Sequence, residues 1–333
     1  MDHRKPVLLL GGSGQAGSDT AAHLRRWHPE LPLTIAGRNP ARAQRVADEL
    51  GGATAITIDL TRRDLGLPAG EQYAAVVATV WDSRLNGLRF AQDHGAPYAS
   101  LSSGMIDIAP EITAGTQRPA AAPVLMASHW AAGVITLVAL EWAKEFDRVD
   151  TIRIGAILDE NDAGGPAGLA DLERWAEVTS AGYARRDGVF AWIGAAEAQV
   201  ELHSLDGTAV TGQTVPILDV TSLGLATGAP NVEFAFAVGE SAGSRRGEGP
   251  SVEIRIDLEG LGRSGAPLTI NRHVVHLSGQ RPLTSLGLAL GVERLLGLRG
   301  DAVTPGIYTP EVLLDSAYVV EQLVDVGTSF VDV

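Results

Sequence analysis

The sequence predicts an α/β protein in two structural parts: an N-terminal doubly wound parallel sheet, and an inserted α+β part with a largely antiparallel sheet. Three observations predict it. Through residue 127, short apolar runs alternate with segments of helical period. From residue 147, strand-length segments follow one another, and some alternate apolar with polar side chains, as in Val252-Glu253-Ile254-Arg255-Ile256-Asp257-Leu258. A glycine-rich turn joins the first apolar run to the first helical segment.

The elements follow in order. Residues 7–10 form a continuous apolar run of the kind found in a parallel strand buried on both faces. A helix is predicted over 18–27, a strand over 33–36, and a helix over 40–50. That second helix has Ala43, Val46, Ala47 and Leu50 on one face, and Pro40 near its start, where a missing N–H costs nothing. Strands are expected over 55–58, 74–80, 98–101 and 124–127, with a helix over 86–94. In the second part, strands are expected over 151–158, 189–193, 199–203, 215–220, 233–238, 252–258 and 274–277, with a helix over 168–183. The polar, glycine-rich stretch 241–250 reads as an exposed hairpin or mobile flap. Helical pattern returns over 283–298 and 310–326. The expected domains are residues 1–146, 147–281, and a C-terminal segment 282–333 whose helices return to the first domain.

Composition narrows the function classes. A chain of 333 residues suits two domains, and 45% apolar with 20% charged residues is the profile of a packed core. The net charge of −14 repels phosphate backbones, so no nucleic-acid partner is expected. The absence of cysteine excludes disulfides, thiolate nucleophiles and Cys-ligated metals, and fits a cytoplasmic protein. The N-terminal apolar run is too short for a signal peptide, and the apolar stretch 130–138 is too short to span a bilayer, so no membrane association is expected.

Gly12-Ser13-Gly14-Gln15-Ala16-Gly17 matches G-x-G-x-x-G between a strand and a helix, the context that a dinucleotide-binding Rossmann turn requires. Gly12 would permit the tight turn, Gly14 the approach of a pyrophosphate, and Gly17 close packing of the helix on the strand. The helix start would offer free N–H groups to the phosphates. The end of the second strand, Gly37-Arg38-Asn39, lacks the acidic residue that bonds a ribose 2′-hydroxyl in NAD-binding proteins. Arg38, with Asn39 and Arg42, suits a 2′-phosphate instead, which favours NADP over NAD. Asp59 ends the third strand, either near the adenine or as a turn residue.

The stretches VLLLGGSGQAGSDTAAHL, LTIAGRNPARAQRVADELGG, AAVVATV, APYASLSS and TPGIYTPEVLLD together resemble the saccharopine dehydrogenase-like family of NAD(P) oxidoreductases. The resemblance covers the first 127 residues or so and the last 50, and is weak between. It implies a Rossmann domain, an inserted sheet domain and returning C-terminal helices. The implied activity is NADP-dependent hydride transfer to or from a C=N or C–N bond of a small substrate, as in an imine reductase or an amine or amino-acid dehydrogenase. A carbonyl or enoyl reductase, or a non-catalytic NADP-binding sensor, is the alternative. The chain departs from the family pattern where nicotinamide and substrate should lie. Trp81-Asp82 stands for a Pro-Phe-like pair, Tyr98-Ala99-Ser100 for Tyr-x-Asp, and Ser128-His129-Trp130-Ala131-Ala132-Gly133 for a Gly-Phe-x-Pro-Gly turn.

Residues just after strands four to six are the first candidates for the chemistry, because ligands of open parallel sheets bind beyond the strands' carboxyl ends. They are Thr79, Val80, Trp81, Asp82 and Arg84, then Ser102 and Ser103, then Ser128, His129 and Trp130. His129 is the leading acid/base candidate, with a helix cap or interface as its alternative role. Asp82 is a proton acceptor, a binder of a substrate amine, or the cap of the next helix; Arg84 suits a substrate carboxylate or is a surface charge. Trp81 and Trp130 either wall the nicotinamide or pack in the core. Tyr183 and Arg185 are candidates to close over substrate from the second part. No Tyr-x-x-x-Lys follows Tyr98 and no G-x-S-x-G occurs, and His203, His273 and His276 are not spaced as a metal set, so no metal is expected. Apolar surface on the second part's sheet, which has one open face, suggests a homodimer.

Overall fold

A computed structural model describes residues 5–101, 105–162, 168, 170, 173, 174, 177 and 181–333. The chain divides into two units. One comprises residues 1–128 and 284–314, the other residues 129–283 and 315–333. The division falls at 128/129, where the sequence suggests 146/147, and the C-terminal segment is shared between the units.

The first unit is built on β1 (Val7–Leu10), β2 (Leu33–Gly37), β3 (Ala53–Thr57), β4 (Ala75–Ala78), β5 (Tyr98–Ser100) and β6 (Pro123–Met126). A seventh strand, Gly306–Tyr308, lies beside β6. The spatial order is β3-β2-β1-β4-β5-β6 followed by that late strand, and every pairing is parallel. This is the doubly wound order, with its reversal between β1 and β4. The central strands are buried throughout, which is why they read as unbroken apolar runs, whereas edge strand β3 is half-buried. The helices are α1 (Gln15–Trp27), α2 (Pro40–Leu50), α3 (Asn86–His94) and α4 (Met105–Thr116). Helix Arg281–Leu295 meets β6 at Gly291, where a Cβ would lie 2.4 Å from Leu125 Cδ2.

The second unit carries β7 (Phe146–Asp159), β8 (Gly182–Arg186), β9 (Val189–Ile193), β10 (Gln199–His203), β11 (Ala209–Thr214), β12 (Asn231–Gly239), β13 (Val252–Gly262) and β14 (Pro267–His276). A last strand, Ser329–Asp332, pairs antiparallel with β14. The order is β10-β11-β12-β7-β13-β14 and then the last strand, with β8 and β9 attached to β12. All pairings are antiparallel except β7 with β12, so the sheet is largely antiparallel as expected. One face is apolar, with Ile152, Ile154, Ala156, Ile254, Ile256 and Leu258 buried. Helix α5 (Val134–Ala143) packs against α6 (Leu218–Thr227) and helix Ser316–Asp325. The apolar stretch at 130–138 is thus a turn followed by the buried start of α5, and no helix among the described residues is long and apolar enough to cross a membrane.

Several expectations are corrected. The strand expected over 215–220 is instead a short loop leading into α6, which begins at Leu218, because a short apolar run does not distinguish strand from helix. Most of the helix expected over 168–183 lies outside the described residues, and its last residue, Tyr183, is in β8. The stretch 241–250 is not a free flap. It holds a short helix, Ala242–Arg245, with Ser241, Ala242 and Ser251 fully buried. Its anchor is the Glu253 carboxylate, which accepts from Ala242 N and Leu205 N, each at 2.7 Å, and from the hydroxyls of Ser204 and Ser251 at 2.6 and 2.9 Å. The helix expected over 310–326 is interrupted, as Pro310–Leu313 and Ser316–Asp325.

Candidate dinucleotide site

The turn after β1 is shaped by glycine at three places. Gly11, one residue earlier than the sequence suggests, takes the left-handed bend at φ +81°, and a Cβ there would lie 2.5 Å from Val80 Cγ1. The amides of Gly11 and Gly12 donate to Ala36 O at 2.9 and 3.2 Å, and Gly14 N donates to Gly11 O at 2.8 Å, so the turn is held by its own backbone. A Cβ on Gly17 would lie 2.6 Å from Gly11 O and 2.7 Å from Gly12 Cα, so α1 starts against the turn only because residue 17 is glycine.

The outer side of the turn is open. A Cβ on Gly14 would meet only Gly11 O, at 3.1 Å. Gly14 is the N-cap of α1; no side chain caps the helix, and its first turn carries no acidic residue. Those amides therefore keep their capacity to bind an anion. Gln15 Oε1 is shut off from solvent without a hydrogen-bond partner, an unusual cost beside an uncapped helix start. Ser13 lies against Gly37 at the end of β2, and the Ala16 carbonyl accepts from Thr20 Oγ1 at 2.8 Å. Thr79 is tied to β1, its amide and hydroxyl both donating to Leu10 O at 2.9 and 3.0 Å.

Arg38 is exposed beyond β2 and makes no ion pair among the described residues. Asn39 Oδ1 is engaged as the N-cap of α2, accepting from Arg42 N at 3.0 Å. Asp59 is a turn residue: its Oδ1 accepts from the Thr61 amide and hydroxyl at 2.9 and 2.7 Å, and these bonds hold its carboxyl below the usual range. Trp81 is 43% exposed, so it is not a core residue.

Asp82 anchors the start of α3, accepting from Gly87 N at 2.6 Å and Arg84 N at 3.2 Å, while burial pushes its carboxyl up. Helix α4, which sequence reading missed, brings a buried carboxylate to β5. Glu111 accepts from Tyr98 OH at 3.3 Å and Ser100 Oγ at 3.0 Å. The interior Pro110 hides this helix from pattern reading. Ser102 and Ser103 lie outside the described residues.

In the second unit, His129 is buried and its Nε2 lies 2.7 Å from Ser222 Oγ. It precedes a turn in which Ala131, Ala132 and Gly133 are all left-handed, with φ of 49°, 54° and 87°. Two consecutive non-glycine residues in that region store strain. Asp219, fully buried on α6, holds the turn by accepting from Trp130 N at 2.9 Å and Thr136 Oγ1 at 2.6 Å; burial raises its pKa. The residues Asp219 and Ser222 escaped sequence reading because 215–220 reads as a strand. Trp130 packs 6.0 Å from Phe234. Tyr183 stacks on Phe190 at 6.0 Å, and its ring lies 5.3 Å from that of Trp192 in the β8–β9 hairpin. Arg185 is bound to the carbonyls of Gly188, Gly224 and Ala229. Among the described residues no cluster of His, Asp and Glu is placed to hold a metal.

No family model matches the chain, and no curated protein matches it by sequence. Solved structures do match. The apo saccharopine dehydrogenase (L-Glu forming) of Saccharomyces cerevisiae superposes with a TM-score of 0.67 at 13% identity, covering 99% of this chain and 100% of that one. A myo-inositol dehydrogenase of Corynebacterium glutamicum matches with a TM-score of 0.49 at 13% identity, over 97% of this chain and 95% of that one. The scyllo-inositol dehydrogenase of Lactobacillus casei, with NAD(H) and scyllo-inositol bound, gives 0.47 at 14%, over 96% and 95%. Over its whole length, then, the chain shares the fold of a saccharopine dehydrogenase.

Proposed function

We propose that the chain is an NADP-dependent oxidoreductase that transfers a hydride to or from a C=N or C–N bond of a small substrate. The observation that carries the reading is the pairing of an open glycine turn and uncapped α1 start with an exposed guanidinium at the end of β2 that makes no ion pair among the described residues. Gly12, Ser13, Gly14 and the first amides of α1 would hold the pyrophosphate. Arg38 would hold the 2′-phosphate, where a carboxylate would select NAD. When bound, the nicotinamide supplies the hydride. For the protein's own part, Asp219 would fix the backbone after β6 at Trp130, and Ser222 would orient His129, the proposed acid/base group. The choice of C–N chemistry rests on the likeness in fold to a saccharopine dehydrogenase. A homodimer belongs to the same reading and is checked by sedimentation.

Arg38→Asp should weaken NADPH binding about ten-fold or more and leave NADH binding little changed, measured by fluorescence titration. An equal loss for both nucleotides would remove the 2′-phosphate assignment. Oxidation of NADPH in the presence of imines, but not of ketones or enones, is the expected outcome of a substrate panel. Tight binding with no turnover of any of them would favour a cofactor sensor.

A further inference from the structure

The turn after β1 and the end of β2 are locked side by side. Gly11 N and Gly12 N both donate to Ala36 O, and Gly37 O accepts from Ile58 N at 3.2 Å, so β2 is held between that turn and the residue after β3. Ser13 is the residue of the turn that meets Gly37. A Cβ on Gly37 would lie 2.8 Å from Ser13 Oγ, closer than such contacts come in folded proteins. Gly37 does not have a left-handed φ, unlike Gly11, so alanine can take the same backbone there. Glycine at this position provides room, and the serine hydroxyl fills it. Ser13 is half-buried, and its hydroxyl makes no hydrogen bond among the described residues. The next hydroxyls along the chain are committed: Ser18 Oγ donates to Gln15 O at 3.0 Å, and Thr20 Oγ1 to Ala16 O at 2.8 Å.

The end of β2 has a meaning in this fold. It faces the adenosine ribose of a bound dinucleotide: a carboxylate there bonds the 2′-hydroxyl, and an arginine there accommodates a 2′-phosphate. In this chain the last residue of β2 has no side chain, and the Ser13 hydroxyl occupies the space beside Arg38, which is exposed and makes no ion pair among the described residues. A hydroxyl donates to a phosphate oxygen in a charge-assisted hydrogen bond, about twice as strong as one to a neutral acceptor. The same hydroxyl facing a bare ribose meets only another hydroxyl.

We propose that Ser13 is a specificity-determining residue of the dinucleotide site. Its hydroxyl donates to the 2′-phosphate, Gly37 keeps the room that this contact needs, and Arg38 supplies the charge. The inference deepens the NADP reading and rests on it. Ser13 then has two separate tasks: its amide belongs with the pyrophosphate, which every such nucleotide carries, and its hydroxyl reads the one group that distinguishes NADP from NAD. Gly37 acts only through the hydroxyl. A methyl group at residue 37 turns Ser13 Oγ away, because the bonds to Ala36 O and from Ile58 N leave the two backbones no freedom to separate.

The test uses the full chain. Dissociation constants for NADPH and NADH are measured by fluorescence titration for wild type, Ser13→Ala, Gly37→Ala and the double variant. Ser13→Ala should weaken NADPH by a factor on the order of 10 and NADH by about 3 at most. Gly37→Ala should weaken NADPH by a similar factor with the same selectivity. In the double variant the two losses should not add, because the hydroxyl that the new methyl group displaces is already gone; this coupling is a readout that a merely structural role at either position would not move. Equal weakening of both nucleotides by Ser13→Ala would assign the hydroxyl to the pyrophosphate and overturn the inference. So would unchanged NADPH binding in Ser13→Ala, or additive losses in the double variant. If Arg38→Asp is selective against NADPH while Ser13→Ala is not, the inference fails and the NADP reading stands. Absence of binding of either nucleotide to the wild type overturns the dinucleotide reading and the inference with it.

Discussion

Two strand-to-helix turns in this chain solve the same problem in opposite ways. After β1, the left-handed bend falls on glycine, and the following helix starts without a side-chain cap. After β6, the left-handed bend falls on two alanines and a glycine, and the neighbouring polar groups are already bound by the Asp219 carboxylate. The first turn is relaxed and open to an external anion; the second is strained and satisfied from within. The contrast separates binding from shaping. A helix start available for phosphate lacks a carboxylate of its own, whereas one that carries a buried carboxylate fixes local backbone geometry.

The comparison is broken most severely at Gly17. Gly17→Val puts a side chain where only 2.6 Å separates a Cβ from Gly11 O, so α1 must move off the turn. NADPH binding should be lost in titration, with destabilisation of about 2–4 kcal/mol in urea denaturation. A stable variant that binds normally would show that the turn is not the phosphate site. At the second turn, Asp219→Ala leaves Trp130 N and Thr136 Oγ1 without their acceptor. It should cost about 2–3 kcal/mol, read from denaturant midpoints, with no direct loss of NADPH affinity. Comparable loss at both turns would erase the distinction drawn here. The smallest effect sharpens the comparison: Ala132→Gly removes a Cβ from a residue at φ 54° and should stabilise by about 0.5–1 kcal/mol. Destabilisation there would mean the alanine Cβ contributes packing that outweighs its strain.

The parts legible in sequence are those governed by local rules. β1, α2 and α3 fall at the predicted residues, because a fully buried strand is unbroken apolar sequence and α2 announces itself with Asn39 and Pro40. The glycine turn was readable because each glycine answers a steric demand. What escaped depends on distant partners. Strand Gly306–Tyr308 has only three residues and exists because β6 offers an edge. The 241–250 stretch looks mobile in composition, and is ordered by Glu253 on another strand. Glu111 and Asp219 were invisible for the same reason: a buried acid is recognised by what surrounds it, and Ser100, Tyr98, Trp130 and Thr136 arrive from other elements. Ser100 is instructive, since the resembling family carries aspartate there; in this chain a carboxylate reaches that position from α4.

Strand Gly306–Tyr308 has a consequence for biosynthesis. The outermost strand of the N-terminal sheet is encoded far downstream of its neighbour β6. While the rest of the chain emerges from the ribosome, β6 must wait with one edge bare, and an exposed parallel edge is prone to aggregation. Slow translation between β6 and residue 306 would lengthen that exposure. A fragment cut at the apparent end of the Rossmann sequence would inherit the bare edge permanently.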